Sequence, residues 1–400
     1  MRLTYEETQA IKDKYGVDTI WSFSRFDKYR SSQYEYMLKY LKKLPDNHEK
    51  PSAYAVLGGL VHDQLEGLYN GTIPYEEMAE NFEDIWMANI EITGLVFDRS
   101  DSDKNESIKN KYYENLVRFF KNYKQLPYKL QCERYVIIKI TDDIIFGGYM
   151  DAVFKDENGF YTIEDFKTST KYSKQALIDH SAQLVLYSQG LHQMGVPKDK
   201  IKCRFNFLKY VDVDCLQANG KVTTRSIERQ DIGNKLSSSA KMWLKKAGCT
   251  EEEIFEYLEE FKLTNDITCL PQEVQDKYTF NDCYVYIDDI WGFYKTLKQE
   301  IIETVGEINQ KVEIYNKFMS IGDIESAENM FWDNEESVKK QSYYYANLCG
   351  YNASTMKPYK QYLDKLDSEK NGNIFGVVKG KKVEDSNNNN NDDFDWLNEI

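Results

Sequence analysis

The feature that most constrains the fold of this chain is the stretch IIFGGYMDAVFKDENGFYTIEDFKTS, Ile144 to Ser169. Two β-rich runs, Ile144 to Phe154 and Phe160 to Ser169, flank Asp156-Glu157-Asn158-Gly159, a strong hairpin signal. A third β-rich run, Tyr135 to Thr141, precedes them across the turn signal Asp142-Asp143. Three meandering strands therefore sit in mid-chain. A helical pattern from about Lys174 to Met194 follows, stopped by Gly195 with Pro197 just beyond. Ile201 to Asp214 then reads as a fourth strand.

Helical patterns lie on both sides. In Ser52 to Gly71, Val56, Leu60, Leu65 and Leu68 recur at helical spacing and Gly71 supplies the stop. Trp21 to Leu41 begins aromatic and basic and turns helical, and about Tyr75 to Tyr123 reads as further helix with one polar face. From about Ser226 the pattern is helical again, and Tyr284 to Tyr315 reads as one long helix. The order helix, three strands, helix, strand defines an α/β class with a helical C-terminal extension. The expected organisation is a core over 1–225, the extension over 226–380 and a disordered acidic tail over 381–400. That tail, VEDSNNNNNDDFDWLNEI, lacks the apolar content to fold alone.

At 400 residues and 41% hydrophobic the chain can bury a substantial core in one or two domains. The seven cysteines form no CxxC pair and their spacing is irregular, which excludes a zinc ribbon and a disulfide framework as readings. The polar start MRLTYEETQAIKDKYG argues against a secretory signal, and no window approaches the apolar length of a membrane span. The expected setting is a reducing cytoplasm. The net charge of −15 runs against phosphate binding, but six of those charges belong to carboxylates after Lys382, leaving −9 for the body. A basic groove is compatible with such a body, because surface fields are local.

The chemistry-bearing residues sit on the strands. Asp151 follows Gly147-Gly148, where small residues permit a close approach of backbone or ligand. Across the hairpin, Asp165 and Lys167 lie two apart and so share one face. Two carboxylates on adjacent strands suit a hard divalent cation, with the Phe166 carbonyl as a further oxygen. Lys167 beside them could orient a water or neutralise charge growing on a phosphate. Taken alone, the trio also fits an ordinary surface charge pair across a hairpin.

GGYMDAVFKDENGFYTIEDFKTS resembles the GxxD…DxK centre of the PD-(D/E)XK nuclease superfamily, and specifically its RecB-like exonuclease branch. Gly58 to His62 matches a GxxxH helix motif, Glu133 a glutamate that precedes the first strand, and Gln183 with Tyr187 a QxxxY helix motif. The order αβββαβ is that of the family core, a restriction-endonuclease-like fold, and the matches span about Trp21 to Tyr210. The resemblance implies metal-dependent DNA hydrolysis, most often exonucleolytic, in recombination, repair or genome degradation. It implies Mg²⁺ or Mn²⁺ held by His62, Glu133, Asp151, Asp165 and the Phe166 carbonyl, with Asp151, Asp165, Lys167, Gln183 and Tyr187 catalytic. Relatives with an iron–sulfur cluster carry four cysteines, whereas only Cys349 stands in the matching region, so no cluster is expected and Tyr343, Tyr344, Tyr345 and Tyr351 are expected to pack in its place. No GxxxxGK[ST] helicase loop is present, as in phage proteins of this type, and the Asn-, Lys- and Tyr-rich composition suits an AT-rich phage genome.

Each of these residues has a plainer reading. His62 can be a helix residue satisfied by a neighbour, Glu133 an ion-pair partner and Tyr187 a core aromatic. Arg25, Lys28 and Arg225, with Gln183 and Tyr187, are candidates for gripping DNA, against a solvated helix start for Arg25 and Lys28 and a solvated helical face for Arg225. The acidic–aromatic tip, with Phe394, Trp396 and Leu397 among Asp392, Asp393 and Asp395, is either a solubilising end or a peptide that recruits a single-strand DNA-binding, annealing or replication protein. A structure-specific endonuclease and a catalytically silent DNA-binding subunit are the competing functions.

Overall fold

The computed structural model describes residues 3–376, so the tail and its proposed contacts lie outside the described residues. The centre is a seven-stranded mixed sheet. β1 (Ile20–Trp21), β2 (Gln131–Lys139), β3 (Ile145–Lys155), β4 (Tyr161–Lys167), β5 (Ile201–Leu216), β6 (Val222–Glu228) and β7 (Tyr278–Tyr286) compose it. The spatial order is β1-β3-β4-β5-β6, with β2 also on β3 and β7 also on β5. The hairpin signal forms as expected: Gly159 takes φ +81, and Asp156 Oδ1 accepts from the Phe160 N–H at 2.9 Å. β4 then runs parallel to β5, with Lys167 opposite Phe207.

Helices cover both faces. The first five are α1 (Tyr5–Tyr15), α2 (Phe23–Ser31), α3 (Gln33–Tyr36), α4 (Ala53–Asn70) and α5 (Met78–Trp86). α6 (Ser102–Lys121), α7 (Lys174–Gln193), α8 (Ile232–Lys246), α9 (Glu251–Thr264) and α10 (Gln272–Gln275) follow. The last five are α11 (Ile290–Ser320), α12 (Ile324–Asn329), α13 (Glu335–Lys340), α14 (Ser342–Asn347) and α15 (Lys357–Gly376). Leu57, Val61, Leu65 and Leu68 bury the inner face of α4 with Phe82, Trp86, Leu116 and Phe154, and Gly71 at φ +80 ends that helix. On the opposite face α7 packs with α2, α3, α11 and the C-terminal helices in one cluster running from Trp21 to Tyr359. A third cluster joins the far ends of β5 and β6 to α8 and α9.

Two readings need correction. Tyr284 to Tyr315 is not one helix: it begins in β7, and α11 starts at Ile290 where Asp289 Oδ1 accepts from the Gly292 N–H at 2.9 Å. β7 is the edge of the central sheet, with Asn206 opposite Tyr284, so the expected extension contributes to the core sheet. The boundary expected between 225 and 226 falls inside β6.

The C-terminal helices are clasped to the N-terminal ones by buried polar contacts. Asp333 accepts from Ser32 Oγ at 2.6 Å and from the Gln33 N–H at 2.8 Å. Glu328 pairs with Lys42 and with Lys357. Cys349 is buried in this clasp, receiving the Tyr351 N–H at 3.4 Å, and Tyr344 donates to Glu35 at 2.9 Å. No helix among the described residues is long and apolar enough to cross a membrane.

Candidate active site

The site forms where the β3–β4 ladder opens. Backbone pairing runs from Lys155 opposite Tyr161 to Ala152 opposite Glu164. At the next position the Phe166 N–H donates to Asp151 Oδ2 at 3.2 Å, so the carboxylate takes over from the strand. On the other edge of β3, Cys132 faces Ala152 and Arg134 faces Met150, which leaves Glu133 opposite Asp151. Glu133 holds φ +49, a left-handed conformation that costs a residue with a side chain about 1–3 kcal/mol.

α4 supplies the third group. His62 Nε2–H donates to the Phe166 carbonyl at 3.0 Å and lies 3.5 Å from Asp151 Oδ2. Ligand atoms of His62, Glu133 and Asp151 all fall within 4.8 Å of one another. A hard divalent cation fits this donor set, which combines two carboxylates, an imidazole nitrogen and a carbonyl oxygen converging from α4, β2, β3 and β4. The electrostatics agree. The Asp151 side chain is 14% exposed, and burial first, then the charge of Asp165, pushes its carboxyl up to about 7 against the pull of His62 and Lys167. A cation is the charge this cluster lacks.

Asp165 and Lys167 share a face of β4, as their spacing predicts, and Lys167 Nζ lies 2.6 Å from Asp165 Oδ2. Burial draws the ammonium down, but Asp165 outweighs it and holds Lys167 above its ordinary value. Lys167 is therefore a fixed cation at neutral pH, suited to stabilising negative charge rather than to accepting a proton. Asp165 leans to Lys167 and is not one of the three converging donors.

Gln183 and Tyr187 meet on one face of α7, with Nε2 donating to the phenol oxygen at 2.8 Å. Their place explains the glycine pair. A Cβ on Gly148 would lie 2.5 Å from the Tyr187 hydroxyl, and one on Gly147 would lie 2.0 Å from that of Tyr135. Tyrosine rings, not backbone or ligand, occupy the space those glycines leave.

Arg25 and Lys28 are engaged inside the protein. The Arg25 guanidinium stacks over Trp21 at 4.6 Å and Tyr40 at 5.3 Å and donates to Tyr36. Lys28 pairs with Glu35 at 2.9 Å and donates to Tyr344 at 2.7 Å. Arg225 lies on exposed β6, away from the three donors and beside a separate cavity.

Two residues escaped the sequence reading. Glu66 follows His62 by one helical turn, and its charge reaches Cys132 along with those of Glu133 and Asp151. Tyr172 stacks on His180 at 4.2 Å, anchoring the loop between β4 and α7, and burial raises its phenol against the pull of Lys167. The i,i+4 spacing could have disclosed Glu66; nothing local marks Tyr172.

A family model for the PD-(D/E)XK nuclease superfamily matches residues 20–270. The chain belongs to that superfamily. Its members are nucleases that generally use divalent metal ions, and the matched span contains every candidate residue named above. No curated protein matches the chain.

Proposed function

We propose that this PD-(D/E)XK nuclease is a DNA exonuclease dependent on Mg²⁺ or Mn²⁺, phage-encoded and acting in recombination, repair or DNA degradation. The observation that carries the chemistry is the convergence of His62, Glu133 and Asp151 beside the Asp165–Lys167 pair. The resemblance to the RecB-like branch supports the exonuclease reading. His62, Glu133, Asp151 and the Phe166 carbonyl would hold the cation, with Asp165 at its margin. When bound it supplies Lewis acidity at the scissile phosphate and makes a water more acidic. Lys167, aimed by Asp165, donates to a non-bridging phosphate oxygen as charge accumulates there. Gln183, fixed by Tyr187, offers an amide to the same phosphate or to the attacking water. We further propose that the acidic–aromatic tail recruits a single-strand DNA-binding, annealing or replication protein, and its composition alone supports this. Deleting Asp392 to Ile400 is expected to abolish that interaction and spare cleavage.

The test is digestion of end-labelled linear DNA and closed circular DNA with Mg²⁺ or Mn²⁺, comparing wild type with Lys167→Ala. Lysine-dependent loss of the linear form with the circle spared is the expected result. Cutting of the circle replaces the exonuclease with a structure-specific endonuclease, and no cleavage of either form points to a silent DNA-binding subunit.

A further inference from the structure

The long strand β5 changes neighbour just past the catalytic residues. It pairs β4 as far as Phe207 opposite Lys167, and from Tyr210 opposite Glu228 it pairs β6. The loop 168–173 leaves β4 at this seam. A surface cavity of about 440 Å³ lies alongside, lined by Lys111, Tyr210, Arg225, Glu228, Asp231 and Lys235 among others. The loop rests on its wall: Lys171 Nζ donates to Ser226 Oγ at 2.6 Å, and Thr170 and the Lys171 backbone bond the Tyr210 hydroxyl. From Phe207 to Tyr210 a strand advances at most about 10 Å. A nucleic-acid strand rises about 3.4 Å per nucleotide, so that reach is about three nucleotides.

The charges of the cavity are unequal. Glu228 accepts from Lys111 at 2.8 Å and from Tyr210 at 3.1 Å, and Asp231 pairs with Lys235 at 3.4 Å. Both acids are thus engaged, while the Arg225 side chain has no ion pair or hydrogen bond among the described residues. Behind the wall stands Lys209, 1% exposed, in the bulge where the β5–β7 register slips between Asn206 and Val211. Its ammonium lies 3.8 Å from the Tyr112 ring centroid and is bonded to no carboxylate or carbonyl among the described residues. Burial pulls it down to about 7; Glu228 opposes this and Lys111 adds to it, and both of those residues line the cavity. A nearly buried lysine whose facing carboxylate, Glu228, is already paired with Lys111 is costly to charge, and an anion in the cavity would favour its charged form.

We propose that this cavity seats a backbone phosphate of the DNA strand whose scissile bond lies at Asp151 and Lys167, with Arg225 as its principal ligand and Lys111 and Lys235 as flanking cations. The proposal rests on the nuclease reading. It explains how a strongly acidic protein holds DNA: a few cations placed in register with the catalytic strand suffice.

The experiment measures binding of a fluorescent DNA duplex, by anisotropy across a salt series, to the full-length chain carrying Lys167→Ala. Adding Arg225→Glu is expected to weaken binding at least ~10-fold and to flatten the slope of log affinity against log salt by about one. Adding Lys235→Glu should weaken it ~3-fold. Melting temperatures should not change, because both side chains are exposed. Unaltered affinity in both variants overturns the cavity proposal and leaves the nuclease standing. Weaker binding with an unchanged salt slope rejects phosphate as the ligand. If the parent shows no salt-dependent DNA binding, the nuclease reading fails together with the cavity.

Discussion

Glu164 and Asp165 are neighbours on β4, both almost fully buried, and they serve opposite ends. Glu164 faces one side of the sheet and is answered in full. Arg204 Nε reaches it at 2.6 Å, Asn206 Nδ2 at 2.8 Å, and the Arg204 guanidinium lies 3.6 Å from the Tyr284 ring. Asp165 faces the other side, where Lys167 pairs with it and Asp151 adds a like charge. The first carboxylate belongs to the architecture. The second sits beside a cluster of carboxylates whose like charges raise Asp151, the arrangement on which the proposed cation site rests.

The comparison can be tested by substitution, beginning with the largest effect. Lys167→Ala should lower cleavage by ~10²–10³-fold, the usual loss when one donor to developing charge is removed. Asp151→Asn should lower cleavage comparably, yet raise the melting temperature of the metal-free protein, since it removes a buried carboxylate that its surroundings disfavour. A fall in that temperature would show Asp151 to be a structural group like Glu164. Arg204→Met should destabilise by ~3–5 kcal/mol in denaturant titration, because Glu164 is left buried without a counter-charge. The paired change Glu164→Leu with Arg204→Met should recover most of that loss, whereas no partner substitution restores Asp151→Asn. Saturating Mg²⁺ or Mn²⁺ should stabilise wild type by ~2.7 kcal/mol at one hundred times the dissociation constant, and Asp151→Asn by nothing.

The last effect is a gradual one and concerns pH. Lys209 is held near 7 in the folded protein by burial, below the ordinary lysine value of the unfolded chain, with Glu228, Lys111 and the Tyr112 ring facing it. Between those two values the unfolded state binds more protons, so stability should rise with pH from about 7 to about 10, by up to ~1.4 kcal/mol per unit. Below 7 both states are protonated and the penalty is complete. Lys209→Met should flatten that slope and gain most in stability at the acidic end, which chemical denaturation across the range would reveal.

Much of the site could be read from the sequence because its signals are local. The alternation of β3 and β4, the Asp156–Gly159 turn, the stop at Gly71 and the two-residue step from Asp165 to Lys167 each need only a short window. The misreading of β7 has a physical cause. Its place is decided by pairing with β5, some seventy residues earlier, and its last residues continue smoothly into the helical spacing of α11. The left-handed backbone of Glu133 was equally hidden, since it arises from three elements meeting at one point. Gly147 and Gly148 were noticed for the right property and given the wrong occupant, because rings from β2 and α7 fill the space.

The core that backs α7 draws on residues from Trp21 to Tyr359, and Asp333 and Glu328 fasten its two ends together. A ribosome delivers those ends at very different times. When α4 and β2 to β4 have emerged, His62, Glu133, Asp151, Asp165 and Lys167 are all made, yet the helix that follows, bearing Gln183 and Tyr187, still lacks the covering that α11 provides. The last-synthesised part of the described chain therefore completes the enclosure around chemistry encoded much earlier, and a chain terminated before Asp333 would display that unfinished apolar face to the cell's proteases and chaperones.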